Sequence, residues 1–141
     1  MNQVRVKNMV RGFDYAAFRF RRIILKSFKI LKKNRQSVDI FLVSNKEIKV
    51  LNSLFRGKSQ PTNVLSFDNK AGFMTPESKK HFQYLGEIYL APVYIKSKGE
   101  HLDLLAIHGL LHLLGYTHSK SRDTIKMVRL ENKLKNALVS N

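Results

Sequence analysis

Apolar positions along this chain follow two different periods. Gln3 to Asn8 sets Val4 and Val6 between polar neighbours, the two-residue repeat of a strand with one buried face. From Phe13 to Lys33 the spacing widens. Phe13, Ala16, Ala17, Phe20, Ile24, Phe28 and Leu31 recur at helical intervals, while Arg19, Arg21, Arg22, Lys26, Lys29 and Lys33 crowd the other faces. This pattern predicts an amphipathic helix that packs on a sheet and shows a basic exterior. Val38 to Val43 is β-branched and apolar and reads as a strand. Ser44 or Asn45 can then cap a helix from Lys46 to about Phe55.

Arg56 to Asn63 holds Gly57, Ser59 and Pro61 and reads as a loop, followed by a strand at Val64 to Phe67. Asp68 to Gln83 carries Gly72 and Pro76 among polar residues and predicts an irregular excursion. Gly86 to Leu90 is a further strand. Glu100 to Leu114 is a central apolar helix, and Ser119 to Leu138 an amphipathic one. No repeat or linker divides the chain, and its strands and helices lack the alternation of a doubly wound sheet. Residues 1–141 are therefore expected to form one α+β domain, a small mixed sheet of about four strands covered by helices.

Composition narrows the chemistry. There is no cysteine, so disulfides and thiolate metal sites are excluded, and any metal must be held by His and carboxylate. The same absence fits a reducing compartment. Lys and Arg number 26 against 10 Asp and Glu, a net charge of +16. Such a balance attracts polyanions, and nucleic acid is the natural one; solubility alone calls for less charge. No apolar run reaches the roughly 18 residues of a membrane span, and the N-terminal residues lack the apolar core of a secretory signal. The basic stretch from Arg11 to Arg35 superficially resembles an organellar transit peptide. A domain helix explains it better, because a strand precedes it and apolar residues persist through it.

The segment His108-Gly-Leu-Leu-His112-Leu-Leu-Gly115-Tyr-Thr-His118 carries the strongest chemical signal. Residues four apart on a helix share a face, so His108 and His112 present both rings to one point. Gly115 can take the left-handed conformation that ends a helix, letting the chain return His118 as a third nitrogen. Three protein ligands with a position left for water describe a catalytic zinc site. A single His in an apolar helix is more often a core residue. With 5 His and 7 Gly in 141 residues, however, this spacing arises by chance on the order of 3 times in 10,000. Zinc peptidases place a Glu general base after the first His, where this chain has Gly109. Phosphodiester cleavage depends less on that carboxylate, which moves the expected substrate from peptide to polyanion.

With these residues in view, the chain resembles the YbeY-type endoribonucleases, the rRNA maturation factors. His108 to His118 is similar to their signature H-G-x-L-H-L-x-G-Y-D-H. Arg56 and Pro61-Thr-Asn63-Val-Leu-Ser-Phe67 match R-x-x-x-x-P-T-D-V-L-S-F, and Leu85-Gly-Glu87-Ile88 matches L-G-D-I. The motifs lie in family order, so the resemblance spans nearly the whole chain. It implies a single metal-dependent hydrolase domain over residues 1–141, with its metal site on the central apolar helix. The implied activity is a cytoplasmic, zinc-dependent, single-strand-specific endoribonuclease. It would act in small-subunit rRNA 3′-end maturation and ribosome quality control, alongside small-subunit proteins. One zinc ion per chain is implied at His108, His112 and His118, with catalytic roles for Arg56 and His108. A guanidinium suits the Arg56 role, since its planar fork matches phosphate oxygens at any relevant pH.

Asn63 and Thr117 stand where the family has Asp, and Glu87 replaces another Asp. The interval from Gly86 to His108 is short, so a helix there is expected to be missing or reduced to a turn. Two other readings stay open: a non-catalytic, zinc-containing assembly factor, and a zinc metallopeptidase. His101 and His81 are lesser candidates, the first as a partner of the site or an RNA contact. Glu87, Glu100 and Asp103 are the carboxylates nearest the histidines in sequence, each expected to be a capping or surface group. Tyr84, Tyr89, Tyr94 and Phe73 could stack on bases, with core packing as their default.

Overall fold

The computed structural model describes residues 1–69, 82–116 and 120–139. In chain order these form β1 (Gln3–Asn8), α1 (Asp14–Ile30), β2 (Gln36–Leu42), α2 (Asn45–Arg56), β3 (Val64–Asp68), β4 (Gln83–Leu90), α3 (Pro92–Ser97), α4 (Leu102–Leu113) and α5 (Ser121–Leu138). The strands make one mixed sheet ordered β1-β2-β4-β3. β1, β2 and β4 run parallel, and β3 lies antiparallel at the edge. This is the α+β architecture expected from the periodicities.

Strand alternation divides the apolar residues between two faces. On one, Val4, Val38, Ile40, Leu42, Ile88 and Leu90 pack with Phe20, Ile24 and Phe28 of α1 and Ala106 and Leu110 of α4. On the other, Phe41, Leu65, Phe67 and Tyr89 meet Ile48 and Leu51 of α2. A third cluster joins Ile107 and Leu111 of α4 to Ile23 of α1 and to Met127 and Leu134 of α5. α4 is thus enclosed by the sheet and two helices, which is why it is apolar on nearly every face. No helix among the described residues is long and apolar enough to cross a membrane.

Two local signals act as expected. Ser44 caps α2, its Oγ accepting from the Glu47 N–H at 3.1 Å. Gly115, at φ 98°, closes α4 as Gly115 N–H donates to His112 O and Tyr116 N–H to Leu111 O, both at 3.0 Å.

Elsewhere the boundaries move. β3 extends through Asp68, and β4 begins at Gln83 rather than at Gly86. Ser37 pairs with Tyr84 but Val38 with Gly86, so Leu85 is the extra residue of a bulge. Gly86 has φ 130°, and a Cβ there would lie 2.1 Å from the Phe67 carbonyl oxygen. Only glycine fits. Of the predicted excursion, residues 70–81, including Phe73 and His81, lie outside the described residues. The short interval before the histidines keeps a helix, the six-residue α3 with Pro92 in its first turn.

Candidate metal centre and cavity

α4 carries His108 and His112 one turn apart on the face turned towards edge strand β3. Their Nε2 atoms stand 2.9 Å apart, with ring centroids 4.4 Å apart and planes at 77°. Two nitrogens each about 2.0–2.1 Å from one zinc ion must lie within about 4.2 Å of each other, and this pair meets that condition. On its far side, His108 Nδ1 lies 3.1 Å from Glu131 Oε1. A carboxylate there holds the imidazole by its other nitrogen and fixes its orientation, the usual support of a metal-ligating histidine. The donor chemistry therefore fits zinc. His118, the third predicted ligand, lies outside the described residues, among which no group of three His, Cys, Asp or Glu side chains converges.

The two histidines open onto a cavity of about 440 Å³ lined by Arg56, Asn63, Val64, Ser66, Asp68 and Leu113 besides themselves. Arg56, the last residue of α2 and the residue predicted to hold phosphate, lines the same cavity as the imidazoles. The opposite wall is β3. The structure thus brings together three residues, Arg56, His108 and His112, that are up to 56 positions apart in sequence.

Gly109 explains how closely helix and strand approach. A Cβ at this position would lie 2.9 Å from Ile88 Cγ2 and 3.1 Å from Ser66 Oγ. Ser66 Oγ also donates to the Gly109 carbonyl at 3.3 Å. The position that carries the general base in zinc peptidases is here a packing contact with the sheet and has no room for a carboxylate.

The carboxylates sort differently from their sequence proximity. Asp103 is buried and accepts from Arg19 Nε at 2.8 Å, facing α1. Glu87 accepts from Tyr89 OH at 2.9 Å on the sheet's other face. Burial and this hydrogen bond, followed by the Glu87 and Asp39 charges, push the Tyr89 phenol up to about 12. Tyr84 is raised further, by burial and then by its bond to Asp39. Tyr89 stacks on Phe41 at 4.9 Å, so the core reading holds for it; Tyr94 packs in the same cluster. His101 is exposed at the N-cap of α4 and makes no capping bond.

Glu100 does come to the site. Asn63 Nδ2 donates to both its carboxylate oxygens at 3.3 Å, while Asn63 Oδ1 accepts from the Val64 N–H at 2.7 Å. Where the family motif has an aspartate, this chain holds an amide that recruits a carboxylate from the residue before the His101 N-cap of α4. Sequence reasoning missed Asp68 and Glu131. Asp68 was hidden in the polar excursion. Glu131 sits 23 residues beyond His108 on another helix, and nothing in its local pattern marks it.

A histidine pair borne on a central helix, opposed by an edge strand and an arginine in a strongly basic chain, defines a class of small α+β domains suited to a polyanionic substrate. Residues 7–139 match the family model described as Endoribonuclease YbeY. The Endoribonuclease YbeY of Buchnera aphidicola subsp. Acyrthosiphon pisum is 36% identical over 146 residues, covering 92% of this chain and 90% of that protein. That of Francisella tularensis subsp. novicida is 35% identical over 102 residues, covering 67% of this chain and 62% of that protein. The solution structure of TM1509 from Thermotoga maritima superposes with a TM-score of 0.50 at 25% identity, over 95% of this chain and 90% of that one. This chain belongs to the YbeY endoribonuclease family.

Proposed function

We propose that the chain is a zinc-dependent, single-strand-specific endoribonuclease. It acts on ribosomal RNA precursors, at the 3′ end of the small-subunit RNA, in the cytoplasm and in contact with small-subunit proteins. The observation that carries this reading is the convergence of His108, His112 and Arg56 on one cavity in a chain of net charge +16. His108, His112 and His118 would hold the metal, which supplies Lewis-acid chemistry at a phosphoryl oxygen and lowers the pKa of bound water.

The protein's own groups do the rest. Basic surfaces draw in the RNA strand, and the groove between β3 and α4 receives it. Arg56 fixes a phosphate by paired N–H donors, pre-setting its position beside the imidazoles. Glu131 keeps the His108 ring turned so that Nε2 faces the cavity. Asp68 is the carboxylate on the cavity wall to which the nucleophile's proton can pass. The attacking group is water or the RNA 2′-hydroxyl, and a cyclic phosphate product terminus identifies the latter.

The test is cleavage of a labelled single-stranded RNA by the wild type, His108→Ala and Arg56→Ala, purified identically, at low salt. Loss in both variants, with loss in the wild type on adding chelator, is the expected result. Equal activity in all three would mark a contaminating nuclease and favour a non-catalytic assembly factor.

A further inference from the structure

The start of α1 bears a second organised surface. Tyr15 and Arg19, and likewise Phe18 and Arg22, are four residues apart, so two aromatic–arginine pairs lie side by side on adjacent helix faces. These four residues line an open hollow of about 310 Å³. Its parts are held in place. Phe13 and Tyr15 stack with centroids 6.0 Å apart. Lys96 Nζ of α3 lies 5.4 Å from the Phe13 ring centre and 5.7 Å from that of Tyr15. Arg19 lies 5.5 Å from the Tyr15 ring centre while Asp103 fixes its Nε. Phe18 stands 81% exposed and Tyr15 46%. An aromatic ring left in water on a helix that buries Phe20 and Phe28 completely is not spilled core.

We propose that this surface is a stacking platform for bases of single-stranded RNA, separate from the cavity that holds Arg56 and the histidines. It rests on the RNA substrate proposed above, though not on cleavage. Rings offer faces to bases without regard to sequence, and neighbouring cations take the phosphates, which is how single-strand binders work. A cation within about 6 Å of a ring is attracted to its face, so Arg19 and Lys96 hold Tyr15 in place beside the exposed Phe18 ring. Charge selects the occupant: the rings alternate with Arg19, Arg22 and Lys96, which suits a polyanion that also carries aromatic faces. A membrane-bound helix would instead set a continuous apolar face into the lipid. The platform is tied to the site through Asp103, which stands five residues, about 7.5 Å of helix axis, before His108 on α4. A strand seated on α1 is thereby held at a fixed distance from the groove.

The experiment is fluorescence anisotropy with a labelled oligouridylate of about 12 nucleotides, with chelator present so that metal-dependent cleavage cannot remove the probe. Phe18→Ala changes no charge, and Phe18 supports no core, so its thermal unfolding should match the wild type. Its affinity should fall roughly tenfold with an unchanged salt slope, while Phe18→Tyr keeps wild-type affinity. Arg22→Ala should lower both affinity and, by about one, the salt slope. Wild-type affinity in Phe18→Ala overturns the proposal, as does an equal loss for duplex RNA, whose bases are already stacked. If the same variant instead loses only its binding to phosphatidylserine vesicles, the surface is a membrane contact. Phe18-dependent binding by a chain that cleaves nothing would leave the platform standing and remove the nuclease reading.

Discussion

Replacing Glu131 tests whether the histidine pair is a metal centre without relying on turnover. Its carboxylate is 3.1 Å from His108 Nδ1, and the side chains of His108 and Glu131 are 28% and 30% exposed. A charged hydrogen bond contributes about 1.5–3 kcal/mol when sheltered, and partial exposure places this one at the lower end. Loss of about 1.4 kcal/mol of ligand orientation corresponds to roughly tenfold weaker zinc binding, within the range seen for carboxylates behind metal-bound histidines. Glu131→Ala should show that loss in competition with a chromophoric zinc chelator, and Glu131→Gln, which keeps an acceptor oxygen, a smaller one. The fold should be unaffected, because Met127 and Leu134 supply the buried contacts of α5. Wild-type zinc affinity in Glu131→Ala would refute the argument, since an imidazole that needs no support gains nothing from this contact.

Gly109→Ala gains about 1 kcal/mol of helix propensity but drives a methyl to within 2.9 Å of Ile88 Cγ2. Overpacking of that kind costs about 1–3 kcal/mol. Net destabilisation of about 1 kcal/mol is expected in urea unfolding, and a more stable variant would contradict the packing argument. Tyr89 predicts a pH dependence. Its phenol is held protonated in the fold up to about 12, against 10.0 in a free side chain. Above pH 10 the unfolded chain therefore releases a proton that the folded one retains. Stability falls as pH rises from 10.0 towards about 12. Tyr89→Phe should flatten that part of the alkaline unfolding curve, and an unchanged slope would show that burial and the Glu87 contact do not hold this phenol protonated in the fold.

The elements were legible wherever one face of a segment meets the core. Val4 and Val6, the Phe20–Ile24–Phe28 stripe and the Ser44 cap each mark their structure locally. The histidine pair was legible for the same reason, since helical spacing alone puts both rings on one face. The start of β4 was not. Gln83 and Tyr84 adjoin a polar stretch and are cut off from the Gly86–Leu90 run by the bulge at Leu85, and they enter the sheet because Gln36 and Ser37 offer them partners. Nor could spacing show that β3 sits at the edge, that Gly109 is set by Ile88 and Ser66, or that Asn63 draws in Glu100. Each is a relation between distant segments, invisible to any window along the chain. The third predicted ligand, His118, lies outside the described residues.

The attachment of α5 has a bearing on how the site loosens. Eighteen residues long, it is anchored by only two fully buried side chains, Met127 and Leu134, whereas α4 buries eight residues of its twelve. In a hierarchy of partial openings, the C-terminal helix is thus cheaper to release than α4. Its departure would leave the sheet and α1 intact yet take Glu131 from behind His108, freeing that ring to turn. The integrity of the histidine pair is accordingly a property of a lightly docked helix as well as of α4 itself, and amide exchange along α5 is a direct gauge of how often the site is fully assembled.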